Sequence, residues 1–268
     1  MEYHISTASI ICMGITAVIC IAVPLGLMIY LKKAYNAETK AFPIGCAVFF
    51  IFVMVLESQV HQLLQGAAFG RVISGSPLYY AIYGGLMAGL FEEIGRYTAF
   101  RTVLKNSLGN DANALMYGAG HGGFEAFAIV GLTMINNMSV AIKINKSGID
   151  AFTAGLEGEV LEQTMAQLAQ LAELPPWMFL LSAVERLSAI ALHMGLSVMV
   201  WFAFKKGGKA MKFFPLAVLA HASVDAITVL LSREGVNTIF LEVLIALLSA
   251  AVALYAARIW KQCRADQL

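Results

Sequence analysis

Glu92 and Glu93 stand side by side, and the chain repeats the pairing of acids with bases at helical spacing. His121-Gly-Gly-Phe-Glu125 and His221-Ala-Ser-Val-Asp225 each set an imidazole and a carboxylate four residues apart. In a helix, residues three or four apart share a face. Glu92 and Arg96 have the same spacing, and Arg186 and His193 are seven apart, two turns along one face. A carboxylate beside an imidazole can draw a proton from water and make it a nucleophile. A second imidazole, held by its own carboxylate, can stabilise the oxyanion that follows. The same residue types could instead hold zinc: His121, His193 and His221 would be its ligands, with one position open for water. There is no HExxH, so an ordinary zincin site is not indicated.

These side chains must be positioned by apolar elements. The chain has 268 residues, 59% hydrophobic and 13% charged, with a formal net charge of +1. Soluble domains carry about 25% charged residues, and the mean hydropathy here is +0.75. A soluble enzyme, a disordered chain and a nucleic-acid binder with a basic surface are excluded. Cys12, Cys20, Cys46 and Cys263 form no CxxC pair, so neither a disulfide framework nor a zinc knuckle is expected.

A spanning helix needs about 20 apolar residues. Seven stretches qualify, at 7–31, 42–64, 77–100, 112–142, 177–204, 213–232 and 237–258. The first lacks a basic leader and is too long for a signal peptide, so it reads as a retained helix kinked at Pro24. One set of alternate loops, with the C-terminal tail, holds twelve Lys and Arg; the other holds four. By the positive-inside rule, the N-terminus lies outside and the C-terminus in the cytoplasm. The expectation is an all-α, polytopic helical bundle of about seven spans, a single integral domain over 1–268, multi-pass in the bacterial cytoplasmic membrane. The site helices are at 77–142 and 177–232. The outer loop 143–176 carries Leu156, Val160, Leu161, Met165, Leu168, Leu171 and Ala172 at helical spacing, an amphipathic cap or lid stopped by Pro175-Pro176.

Seven acids nevertheless fall inside these spans: Glu57, Glu92, Glu93, Glu125, Glu185, Asp225 and Glu242, with His61, His121, His193 and His221. Only Arg96 and Arg186 offset them. A charge at a helix centre costs about 2.5–3.5 kcal/mol on the insertion scale, and such residues mark functional sites by default. Glu57, Glu242 and His61 read as structural. Depth sorts the rest. Glu92, His121, His193 and His221 lie nine to twelve residues from the cytoplasmic ends of their helices. At 1.5 Å per residue that is roughly 14–18 Å for each. Four clusters at one depth can form one site. Gly118, Gly120, Gly122 and Gly123 would let helices close in around it.

Glu92-Glu93-x-x-Arg96, Tyr117-x-x-x-His121 and His221-x-x-x-Asp225 resemble the motifs of the CAAX-prenyl-protease and bacteriocin-processing superfamily of intramembrane proteases. His121-x-x-x-Glu125 and the Arg186–His193 spacing resemble the PrsW-like branch. The chain as a whole is most similar to the YhfC family of glutamic-type intramembrane peptidases. The match departs in places: Arg96 sits one residue closer to the paired acids, Tyr117 stands for the usual Phe, and Asp225 for Asn. The resemblance implies hydrolysis of a peptide bond in a membrane-bound peptide or protein. Glu92 and His121 would activate water, and His221 and Asp225 would serve the oxyanion. Glu93, Glu125 and His193 would complete the catalytic set, with Arg96, Tyr117, Glu185 and Arg186 in support. It favours chemistry without a cofactor, zinc being the alternative. The competing classes are a proton-coupled transporter, against which no inverted repeat is visible, and a non-catalytic scaffold, against which the retained Glu92-Glu93 pair argues.

Overall fold

The structure is a computed structural model that describes residues 4–65 and 68–265. Among these residues every regular element is a helix. They are α1 Thr7–Tyr35, α2 Ala41–Phe49 continued by a π-helical stretch Phe50–Glu57, α3 Ser58–Gln65, α4 Ala68–Ser74 and α5 Pro77–Arg101. Next come α6 Ala112–Glu125, a second π-helical stretch Ala126–Gly131, α7 Leu132–Ser147, α8 Ile149–Thr153 and α9 Gly158–Glu173. The chain closes with α10 Pro176–Lys206, α11 Phe213–Arg233 and α12 Thr238–Ala265. In hydrocarbon the backbone must satisfy its own polar groups, and the helix does so within one segment.

Six of these helical runs are long and apolar enough to cross a membrane: Thr7–Tyr35, Ala41–Leu64, Ala112–Ser147, Pro176–Lys206, Gly208–Arg233 and Thr238–Arg264. The remaining expected span is present as the 25-residue α5 but falls outside the set. Its tyrosines, glycines, Glu92, Glu93 and Arg96 make it the least apolar of the long helices. Pro24 lies within α1 without breaking it.

The described residues group into two compact units. The first comprises Met1–Val23 and Ala126–Arg186. Its core joins Met13 and Ala17 of α1, Met134 and Ala141 of α7, and Leu168 and Leu171 of α9. The leucine stripe of α9 is therefore packed, with its polar face outward. Thr16 donates its hydroxyl hydrogen to the carbonyl of Phe179 at 2.7 Å. Pro175 and Pro176 divide the work expected of a stop signal: α9 ends before them, and Pro176 opens α10, where a missing N–H costs nothing.

The second unit, Pro24–Glu125 with Leu187–Leu268, carries the polar clusters. Its central element is the C-terminal part of α10. The most apolar stretch of that helix is 72% buried, against 22–28% for the other five candidate spans. Leu196, Trp201 and Phe202 pack there with Phe100 and Tyr117. Glycines set the spacing around it. A Cβ on Gly85 of α5 would fall 2.3 Å from the Ala222 carbonyl oxygen of α11. One on Gly120 of α6 would fall 2.0 Å from that of Phe42 in α2, and one on Gly118 would fall 2.6 Å from the Met194 Cα of α10. At one end, Asp111 accepts from Trp201 Nε1 at 3.0 Å and from Lys205 Nζ at 2.6 Å. The Lys40 ammonium, 2.7 Å away, holds the Glu38 carboxyl below its usual range, with help from Ser107 and Asn113.

Candidate active site

Four helices of the second unit deliver the side chains: α5 brings Glu92, Glu93 and Arg96; α6 brings Tyr117, His121 and Glu125; α10 brings His193; α11 brings His221 and Asp225. Close packing of α5 on α11 sets Glu93 beside His221, and the glycines of α6 set His121 beside α10. Glu92, Glu93, Arg96, His121, His193 and His221 are all buried.

The bonding within the cluster is specific. Glu92 Oε2 meets His121 Nε2 at 2.8 Å and lies 3.8 Å from His193 Nδ1. Its other oxygen is 3.9 Å from His221 Nε2. Arg96 Nη1 donates to both oxygens of Glu93 at 2.8 Å, and Arg96 Nη2 lies 3.0 Å from His193 Nδ1. A guanidinium can only donate. His193 Nδ1 is therefore an acceptor, and the ring proton sits on Nε2, which faces Glu125 Oε2 at 2.5 Å. His221 Nδ1 meets Glu93 Oε1 at 2.8 Å, and its Nε2 is 3.4 Å from Asp225 Oδ2. Tyr117 stacks on the His121 ring at 5.8 Å between centroids, and Phe49 meets it edge-on at 5.4 Å.

Several pairings differ from those suggested by spacing. Arg96 clasps Glu93, three residues back, rather than Glu92. His121 turns to Glu92 across to α5, and Glu125 turns to His193 on α10. For His121 and Glu125, a partner on another helix offers a better-aimed bond than the i, i+4 neighbour. Glu185 and Arg186 pair with each other in the first unit. The metal set changes as well. Among the described residues, the group able to converge on one ion is Glu92, His121 and His193, with ligand atoms within 4.8 Å of one another. His221, expected as a ligand, has Nδ1 committed to Glu93. Phe49 escaped notice because an apolar residue in an apolar span carries no signal of its own.

The family model of the YhfC intramembrane metalloproteases matches residues 19–246. The chain is also similar to the "Uncharacterized membrane protein YhfC" of Bacillus subtilis (strain 168). The two are 34% identical over 248 residues, 92% of this chain and 94% of that protein. The chain belongs to the YhfC family. It is thus a multi-pass membrane protein of an intramembrane peptidase family. No solved structure matches it.

The YhfC family description raises a metal, and the site can be tested against it. One carboxylate and two imidazoles, Glu92, His121 and His193, are the donor set of His2Glu catalytic zinc sites. His121 Nδ1 is buried without a hydrogen-bond partner, and the proton between Glu92 and His121 is one that a divalent ion would displace. Charge balance points the same way. Glu92, Glu93, Glu125 and Asp225 face a single guanidinium, Arg96, so three negative charges remain if all ionise. A cation or protons on the imidazoles must offset them. The donor set fits, and ligation through His193 would replace one of its two present hydrogen bonds.

Proposed function

We propose that the protein is an intramembrane endopeptidase whose reaction centre is the buried Glu92, His121 and His193 group. The observation that carries this is the 2.8 Å contact between Glu92 and His121, inside a helical bundle where an unneeded carboxylate would be costly. With no metal bound, Glu92 takes a proton from the attacking water, and the imidazoles orient it. His221, held by Glu93 and flanked by Asp225, serves the developing oxyanion. Arg96 fixes Glu93 and His193 at once. The substrate is a peptide bond in a membrane-bound peptide or protein.

Glu92, His121 and His193 would hold a divalent metal, zinc by donor type, which when bound acidifies a water and polarises the scissile carbonyl. The second reading is a cofactor-free Glu/His pair, and the direct Glu92–His121 hydrogen bond favours it. The experiment is cleavage of co-expressed, tagged single-span membrane proteins, with metal analysis of the purified enzyme. Glu92→Ala and His121→Ala each lower cleavage by about 10²–10⁴-fold while the protein stays monodisperse. Cleavage surviving both changes would end the peptidase reading. Zinc bound by active protein and lost in His121→Ala supports the metal centre; active protein free of metal supports the cofactor-free pair.

A further inference from the structure

Hydrolysis consumes a water, and this centre is closed: His121 is fully buried and Glu92 is 4% exposed. The same unit holds a second polar cluster. Glu57 ends the π-helical stretch Phe50–Glu57, and its side chain is 7% exposed. Its Oε1 lies 3.1 Å from His61 Nε2, and His61 Nδ1 lies 2.7 Å from the Tyr83 hydroxyl. A neutral imidazole has one donor and one acceptor nitrogen. With Nε2–H donating to the carboxylate, Nδ1 accepts from the tyrosine, so the three form a directed chain across α3 and α5. Its middle member reaches the surface, since the His61 side chain is 31% exposed. Its elements are those of the centre itself: Tyr83 lies on α5, the helix of Glu92, and Phe49, on the helix that leads into Glu57, meets the His121 ring at 5.4 Å.

A purely structural acid in hydrocarbon has both oxygens engaged, since an unsatisfied one costs about 1–3 kcal/mol. Glu57 does not meet that condition: Oε2 is buried and has no hydrogen-bond partner. The residues just before it on the same helix, Ile51, Met54 and Val55, present an exposed apolar surface. Glu57 is thus a polar group turned inward from a greasy helix, with one buried oxygen unengaged. We propose that Glu57, His61 and Tyr83 line a water path from the membrane surface to the Glu92–His121 centre. It rests on the hydrolase reading, since only hydrolysis requires the supply.

The test is cysteine accessibility. Cys12, Cys20, Cys46 and Cys263 are changed to alanine, and Glu57→Cys, Tyr83→Cys and Met54→Cys are introduced singly. Each variant is purified, checked for monodispersity, placed in phosphatidylcholine–phosphatidylglycerol vesicles and treated with a charged, water-soluble methanethiosulfonate. A thiol must be hydrated to react as thiolate, so positions 57 and 83 should be labelled about tenfold faster than the lipid-facing position 54. If Glu57→Cys fails to fold, Tyr83→Cys alone decides. Equal rates at the three positions overturn the path. Labelling needs no substrate, so its outcome is independent of whether Glu92→Ala still cleaves.

Discussion

Arg96 is the residue on which the centre turns. Its fork reaches the Glu93 carboxylate through one nitrogen and His193 through the other, and the second contact fixes the His193 tautomer that faces Glu125. Lysine keeps the charge but offers no fork. Arg96→Lys should therefore leave the fold intact and lower cleavage by about 10–100-fold, the usual cost of losing a group that orients a reacting shell. Activity unchanged in Arg96→Lys would show that Arg96 only neutralises charge. The Glu92, His121, His193 and His221 convergence could be read from common depth along four helices. The partner choices could not, because spacing along one helix says nothing of which neighbouring helix offers a nearer atom.

Helix α5 shows how an element positions chemistry by what it lacks. Gly85 sits where any Cβ would strike the Ala222 carbonyl, whereas Gly84, one residue earlier, faces open space. Gly85→Ala should force α5 from α11, cost about 1–3 kcal/mol and lower the unfolding temperature together with activity. Gly84→Ala should be neutral or slightly stabilising. Matching effects from the two would mean that the α5–α11 distance is not set by this contact. The π-helical stretches at Phe50–Glu57 and Ala126–Gly131 adjoin Glu57 and Glu125, in keeping with the tendency of such turns to occur at functional sites. They shift the helical register by a fraction of a turn. A reading based on 3.6-residue periodicity passes over that shift.

For the whole molecule, orientation depends on α5. Six apolar crossings would put both termini on one side; α5 as a seventh crossing puts them on opposite sides. We propose the latter, because twelve basic residues against four mark alternate loops as cytoplasmic, and because the cost of carrying Glu92, Glu93 and Arg96 through the bilayer is offset by mutual pairing. Topology reporters at each end check this: the N-terminal fusion should read outside and the C-terminal one cytoplasmic. Both fusions reading the same side would remove α5 from the set of crossings.

Membrane residence, the all-helical class and the identity of the acids and histidines that meet were determined by the sequence itself. The first two follow from the solvent, which demands apolar, internally bonded segments. The third follows because a charge in hydrocarbon is too costly to keep without a use. Only the tertiary structure decided that Arg96 holds Glu93, that Glu125 serves His193, that the metal-type donor set is Glu92, His121 and His193, and that Glu57 has an unengaged oxygen. These are differences of an ångström or two between side chains on separate helices. They are set by how closely glycines let backbones approach, which no spacing along one chain records.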